Sequence, residues 1–222
     1  LEAYESGKRA EPPEEPVRDY SAPIASFERL INNWPDYRLL DGAYYLLAYC
    51  ELQMGNPERA KNLFAELIEK RPDSQFVAEA WIRIGEYHFS YSSGPAGLEK
   101  AREAYESAMA YKDSKFYDKA LYKLAWTYYR LDQFDQAIGR FKQLVEYSDE
   151  QLRKTGRSGS VLRAEAVQYI GVSLAEEDWD LDGAVDSNFG LPRVKQYLSA
   201  EKDYHREVMV QLVDYLFENT RY

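Results

Sequence analysis

Leu121-Tyr-Lys-Leu-Ala-Trp-Thr-Tyr-Tyr-Arg-Leu-Asp-Gln-Phe-Asp-Gln-Ala-Ile-Gly-Arg-Phe-Lys-Gln-Leu144 reads as two helices joined by a tight turn. Leu121, Leu124, Ala125 and Tyr128 recur at steps of three and four and so share one helical face. Leu131-Asp132-Gln133-Phe134 breaks the period. Asp135 stands where it can cap a second helix, on which Ala137, Phe141 and Leu144 again fall on one face. Ala125 and Ala137 are small where the two helix backbones would approach most closely.

The unit repeats. Tyr44, Leu47 and Ala48, then Ala60, Phe64, Leu67 and Pro72, follow the same spacing, with Asn56-Pro57 at the turn. Trp81, Ile84 and Gly85 open another unit, whose second helix carries Ala101, Tyr105 and Ala108; its turn, Tyr91 to Leu98, is longer. The pattern restarts at Val167, Ile170, Gly171 and Leu174, and a further first helix carries Met209, Leu212, Val213 and Leu216. A period of roughly 34 to 37 residues, broken by insertions, is the signature of a repeat array rather than one globular core.

The pattern large-xx-Leu-Gly/Ala-xx-Tyr, then Ala-xxx-Phe-xx-Ala/Leu, then Pro resembles the tetratricopeptide repeat (TPR). That resemblance implies an all-α fold, a right-handed α-solenoid of TPR helix-turn-helix repeats. It assigns residues 1–19 to an N-terminal segment and Pro/Glu-rich linker, and 20–222 to the array. Within the array, 20–35 is a lone second helix, 41–72, 78–113, 118–149 and 164–200 are units, and 203–222 is a half unit. Three prolines in Glu11-Pro-Pro-Glu-Glu-Pro16 remove amide donors and exclude a helix there. Asp73-Ser74 offers a cap for a helix beginning near Gln75. Residues 149–163, ending in a Gly/Ser-rich stretch, read as an insertion loop, and without a preceding strand or P-loop spacing they cradle no phosphate.

Composition excludes several classes of function. With 45% hydrophobic and 30% charged residues the chain can bury a substantial core. No apolar run approaches the roughly 18 residues needed to span a bilayer. No signal peptide is present, and the start at Leu1 without Met allows for upstream sequence having been removed. A net charge of −10, with basic residues scattered among acids, argues against binding a phosphate backbone. The single cysteine, Cys50, lies beside packing positions and reads as a small hydrophobe, leaving the redox compartment undetermined. His88 and His205 have no metal-ligating partners at zinc spacing, and no Gly-x-Ser-x-Gly elbow occurs. The chain is expected not to be an enzyme.

Asp178-Trp-Asp-Leu-Asp-Gly-Ala-Val-Asp186 places acids at loop positions 1, 3, 5 and 9 with glycine at 6, as an EF-hand-like calcium loop does. Position 12, where a bidentate Glu is needed, is Phe189. Asp178, Asp180, Asp182 and Asp186 are therefore candidate calcium ligands, and an acidic interhelix loop with Asp caps is the alternative. No other cofactor is implied.

The TPR resemblance implies a concave face lined by first helices. Its groove positions fall on Tyr45 and Tyr49; on Arg83, Glu86 and Phe89; on Tyr122, Lys123, Trp126, Tyr129 and Arg130; and on Gln168 and Tyr169. On the helix at 118–130, the spacing alone puts Tyr122, Trp126, Tyr129 and Arg130 on a face beside the packing face. Aromatic residues with Arg and Lys dominate binding hot spots. Such rings either form a recognition groove for a peptide or protein segment or simply pack neighbouring helices. Stacking on glycan, peptidoglycan included, is the rival ligand class, and it favours exposed, coplanar rings.

The half unit at the C-terminus, with Tyr222 at the turn aromatic, would leave an apolar face for further TPR repeats or for self-association. Acidic, tyrosine-rich units followed by Pro-Asp-Ser resemble bacterial cell-envelope TPR proteins, including the lipoprotein of the outer-membrane β-barrel assembly machinery and the Tol–Pal coordinator. The run Ala120 to Tyr129 is similar to the large envelope repeat proteins of gliding motility. The resemblance implies a scaffold or adaptor in the periplasm.

Overall fold

The computed structural model describes residues 19–157, 159–198 and 201–219. The expected N-terminal linker up to residue 18 and the turn aromatic Tyr222 lie outside the described residues. Among these residues there are ten α-helices and no strand. The chain divides into two compact units, one ending at Leu63 and one beginning at Phe64.

The first unit holds α1 (Ser21–Asn33), α2 (Leu40–Gln53) and the start of α3 (Pro57–Lys70). α1 packs on α2. Leu40, Ala43, Tyr44, Leu47, Ala48 and Cys50 form the buried side of α2. The turn into α3 uses Gly55 at φ +77° and then Pro57 at the first helical position, where a missing amide costs nothing. Glu51 is buried in this turn and accepts from Asn56 Nδ2 (2.8 Å) and Arg59 Nη1 (2.9 Å). A polar side chain is tolerated inside when it is paired in this way.

The second unit continues α3 and adds α4 (Val77–Tyr91), α5 (Gly94–Met109), α6 (Tyr117–Arg130), α7 (Phe134–Thr155), α8 (Arg163–Leu174), α9 (Leu191–Tyr197) and α10 (Tyr204–Glu218). α4 packs on α5, α5 on α6, α6 on α7, α7 on α8, and α8 on α10. The faces expected from the spacing are the ones that pack: Leu121, Leu124, Ala125, Ala137, Phe141 and Leu144 are all buried in one core. Small residues let helices close on one another. At Gly171 an added Cβ would lie 2.9 Å from the Leu212 backbone nitrogen of α10, and at Gly85 it would lie 2.4 Å from the Tyr105 ring.

Turn chemistry corrects two expected caps. Asp132 takes a left-handed conformation (φ +56°), and the Gln133 amide donates to the Tyr128 carbonyl (2.9 Å), so α7 starts at Phe134. Asp135 falls inside the first turn and caps nothing; it complements the helix dipole there and accepts the Tyr197 hydroxyl (2.8 Å). Similarly, α4 starts at Val77 without a side-chain cap, because the Ser74 hydroxyl accepts the Phe76 amide (3.1 Å). The same serine turn precedes α6 (Ser114 to Phe116, 3.2 Å) and α8 (Ser160 to Leu162, 3.1 Å).

Two insertions differ from expectation. α7 runs on to Thr155 and stops at Gly156 (φ +68°), so much of the expected 149–163 loop is helix. Ser160 is buried beyond it and donates its amide to the Ser148 hydroxyl (3.1 Å). The unit expected at 164–200 has no full second helix. Leu181 (φ +62°) and Gly183 (φ +86°) turn the acidic stretch into an irregular loop, and only the short α9 follows, with Pro192 in its first turn. α10 packs Tyr204, Val208 and Leu212 inward, while Val210 (53% exposed), Val213 (57%) and Phe217 (72%) face outward. No described helix is long and apolar enough to cross a membrane.

Candidate functional site

α6 presents two different sides to its neighbours. Toward α8 it offers Tyr122, Trp126 and Tyr129, all half-buried. Trp126 lies 4.3 Å from Tyr169 of α8, ring centre to ring centre, and 5.6 Å from Tyr129. Phe141 from α7 lies behind, 6.0 Å from Tyr169 and 6.4 Å from Tyr122. Trp126 is tilted at 57° to Tyr169, and the other rings on the open side meet at 70° to 76°, the edge-to-face geometry that the ring quadrupole favours. They do not form the exposed, coplanar platform that stacking on sugars favours.

Carboxylates from the next elements fix the phenols. The Tyr122 hydroxyl donates to Glu165 Oε1 (2.5 Å) and the Tyr129 hydroxyl to Glu176 Oε1 (3.2 Å). Burial first, and then the adjacent carboxylate, raises both phenols above their ordinary range, so both remain donors. The wall is thus held rigid from both ends.

Toward α4, α6 offers Lys119 and Lys123. Glu86 accepts Lys119 (3.0 Å), Arg83 (3.1 Å) and, more distantly, Lys123 (3.7 Å), while Arg83 also reaches Glu79 (3.1 Å). Burial alone would push the Glu86 carboxyl up, but the surrounding cations outweigh it and hold it below the usual carboxylate range. The Arg130 guanidinium lies over the Phe89 ring at 5.2 Å. Gln168 of α8 is exposed, and together with Gln211 of α10 it lines a groove of about 650 Å³ that also contains Glu165, Glu207 and Val210. Tyr45 (half-buried) and Tyr49 (41% exposed) sit on α2, in the first unit.

In the acidic loop, Asp178, Asp180 and Asp186 bring carboxylate oxygens within 4.8 Å of one another; Asp182 is not among them. Asp182 instead accepts the Ala184 amide (2.8 Å), and Asp178 accepts those of Asp182 (3.1 Å) and Gly183 (2.8 Å). Asp186 is paired with Arg193, which is fully buried and also donates to the Glu176 carbonyl and to Asn188 Oδ1 (3.1 Å). The Arg193 guanidinium lies 4.1 Å from the centre of the Trp179 ring. With Phe189 at position 12, Asp182 turned to an amide and Asp186 already paired with a cation, this donor set does not fit an EF-hand ligand shell.

Residues 42–74 and 119–149 each match the tetratricopeptide repeat family model. The chain carries tetratricopeptide repeats. Two crystal structures of MamA are similar to this chain: one at 16% identity and TM-score 0.52, covering 90% of each chain, and one at 17% and 0.53, covering 90% of this chain and 84% of that one. The nearly identical TPR-like repeats of a Podosopora anserina protein described as a kinesin light chain match at 12% identity and TM-score 0.51, covering 90% and 87%. At these identities the likeness establishes the fold, an all-α TPR solenoid. No curated protein matches the sequence.

Within the TPR array, the structure brings Tyr122, Trp126, Tyr129 and Tyr169 into one wall, and Arg83, Glu86 and Lys123 into one ion network. Sequence reasoning missed Glu165, Glu176, Lys119 and Arg193. Glu165 lies one helical turn before Tyr169, so its face was available from spacing. Arg193 had no local signal, because its partners come from a loop that no helical period describes.

Proposed function

We propose that the chain is a non-catalytic scaffold whose first helices α4, α6 and α8 receive an extended segment of a protein partner, as part of a bacterial cell-envelope complex. The observation that carries this is the Tyr122–Trp126–Tyr129–Tyr169 wall, with the Tyr122 phenol pinned to Glu165 and the Tyr129 phenol to Glu176. Rigid, half-exposed aromatics lose little conformational entropy on binding, which is why such residues anchor interfaces. TPR repeats support a protein-interaction role, and the envelope location extends the resemblance of the acidic, tyrosine-rich units.

A photo-crosslinking residue at exposed Gln168, compared with one at exposed Gln136 on α7, tests the binding face in the native host. A protein adduct is expected at Gln168 alone, and equal labelling at the two sites would reject the reading. Fractionation of the host should place the protein with the envelope; recovery wholly in the cytosol would remove that part.

A further inference from the structure

Charge changes sign along the first helices of the second unit. Where α4 meets α6, four cations (Arg83, Lys119, Lys123, Arg130) stand with two carboxylates, Glu79 and Glu86. Where α8 meets α6 and α10, the carboxylates Glu165, Glu176 and Glu207 stand with one guanidinium, Arg163, which Asp149 also engages at 2.5 Å. The uncharged aromatic wall lies between these two ends. Since the whole chain carries −10, the positive excess at the α4–α6 end runs against the average and is not a by-product of composition.

Lys119 and Lys123 lie on the α4 side of α6, and Glu165 meets the Tyr122 hydroxyl on its α8 side, so the ends flank one helix, about 10–12 Å across with its side chains, or about three residues of extended chain. That exceeds the Debye length of ~8 Å at physiological salt, so each end reads mainly the part of a guest lying over it. Gln168 and Gln211 can donate to and accept from an extended main chain at the α8–α10 end.

We propose that this face takes a protein segment of segregated charge: acidic residues over Lys119 and Lys123, an aromatic or aliphatic residue at the wall, and basic residues over Glu165 and Glu207. This rests on the face being a segment-binding surface at all. Long-range complementarity of this kind sets register and excludes wrong partners more than it adds raw affinity.

Selection of a displayed random peptide library on the chain tests it. Enriched peptides should carry acidic and basic residues at opposite ends of a central apolar residue. A synthetic peptide of that kind should bind about tenfold tighter than its isomer with the same charges alternating. Lys123→Gln should remove the selection for the acidic end while leaving the basic end, and Glu165→Gln should do the reverse. Thermal melts of both variants check that the fold is kept. Enriched peptides without charge segregation, competing with one another and lost on Gln168→Arg, would overturn the charge assignment and leave the binding face intact. No enrichment, or enrichment untouched by Gln168→Arg, would overturn both.

Discussion

At Gly171 the α8 backbone comes so close to α10 that a single methyl group meets the Leu212 nitrogen at 2.9 Å. A backbone atom in a packed helix cannot swing aside, so Gly171→Ala should destabilise by about 1–3 kcal/mol in urea unfolding. Gly139 on α7 has nothing within 4 Å of the same added atom. Gly139→Ala should therefore be neutral or stabilise by up to ~1 kcal/mol, because alanine is the better helix former. Glu86 makes a pH prediction of definite sign. Its pKa is depressed in the folded state, so the network stabilises above the ordinary value of about 4.5 and loses that contribution as pH falls through the folded-state value. Glu86→Gln should cost about 1 kcal/mol near neutrality and approach wild type only as the pH falls below the depressed folded-state value, measured by unfolding from neutral to acidic pH. A constant difference at all pH values would mean that packing, not charge, is what the carboxylate contributes.

The hairpin α6/α7 is the element most fully legible in the sequence. Its apolar residues keep the helical period without interruption, and alanines mark the close crossing. What escaped was set by turns and by distant partners. Helix starts moved because Asp132 adopts a left-handed conformation and because serine hydroxyls form local turns before α4, α6 and α8. The loop at 175–190 was legible as acidic but not as folded, since Arg193 holds it from outside the motif. Arg193→Met should cost about 1–3 kcal/mol by leaving the half-buried Asp186 carboxylate without its counter-charge. Adding Asp186→Asn should recover most of that. Calcium at millimolar concentration should leave the melting temperature of the wild type unchanged and raise that of Arg193→Met, where the three carboxylates lose their internal cation. A calcium-dependent rise in the wild type would sink this account of the loop.

For the second unit as a whole, contacts run mainly between sequential helices, so local stability follows from how many neighbours each helix has. α6 packs against both α5 and α7, and α7 against both α6 and α8, whereas α10 packs only against α8 among the principal pairs. Amide hydrogen exchange should be slower in α5 to α8, each packed on two helices, than in α10 and the short α9; uniform protection across residues 64–219 would contradict an array. The candidate face was legible as a list of residue types on successive helices. Its tyrosine–carboxylate bonds and its reversal of charge were not, because both arise only when helices some forty residues apart are laid side by side.

Trp126 stands among Tyr122, Tyr129 and Tyr169, within reach of each ring. Excitation absorbed by these phenols passes readily to the indole, whose emission colour reports how wet its surroundings are. A guest lying across the wall would change the surroundings of Trp126, one of four tryptophans in the chain, so the part of an emission change that Trp126→Phe abolishes is a native optical gauge of occupancy.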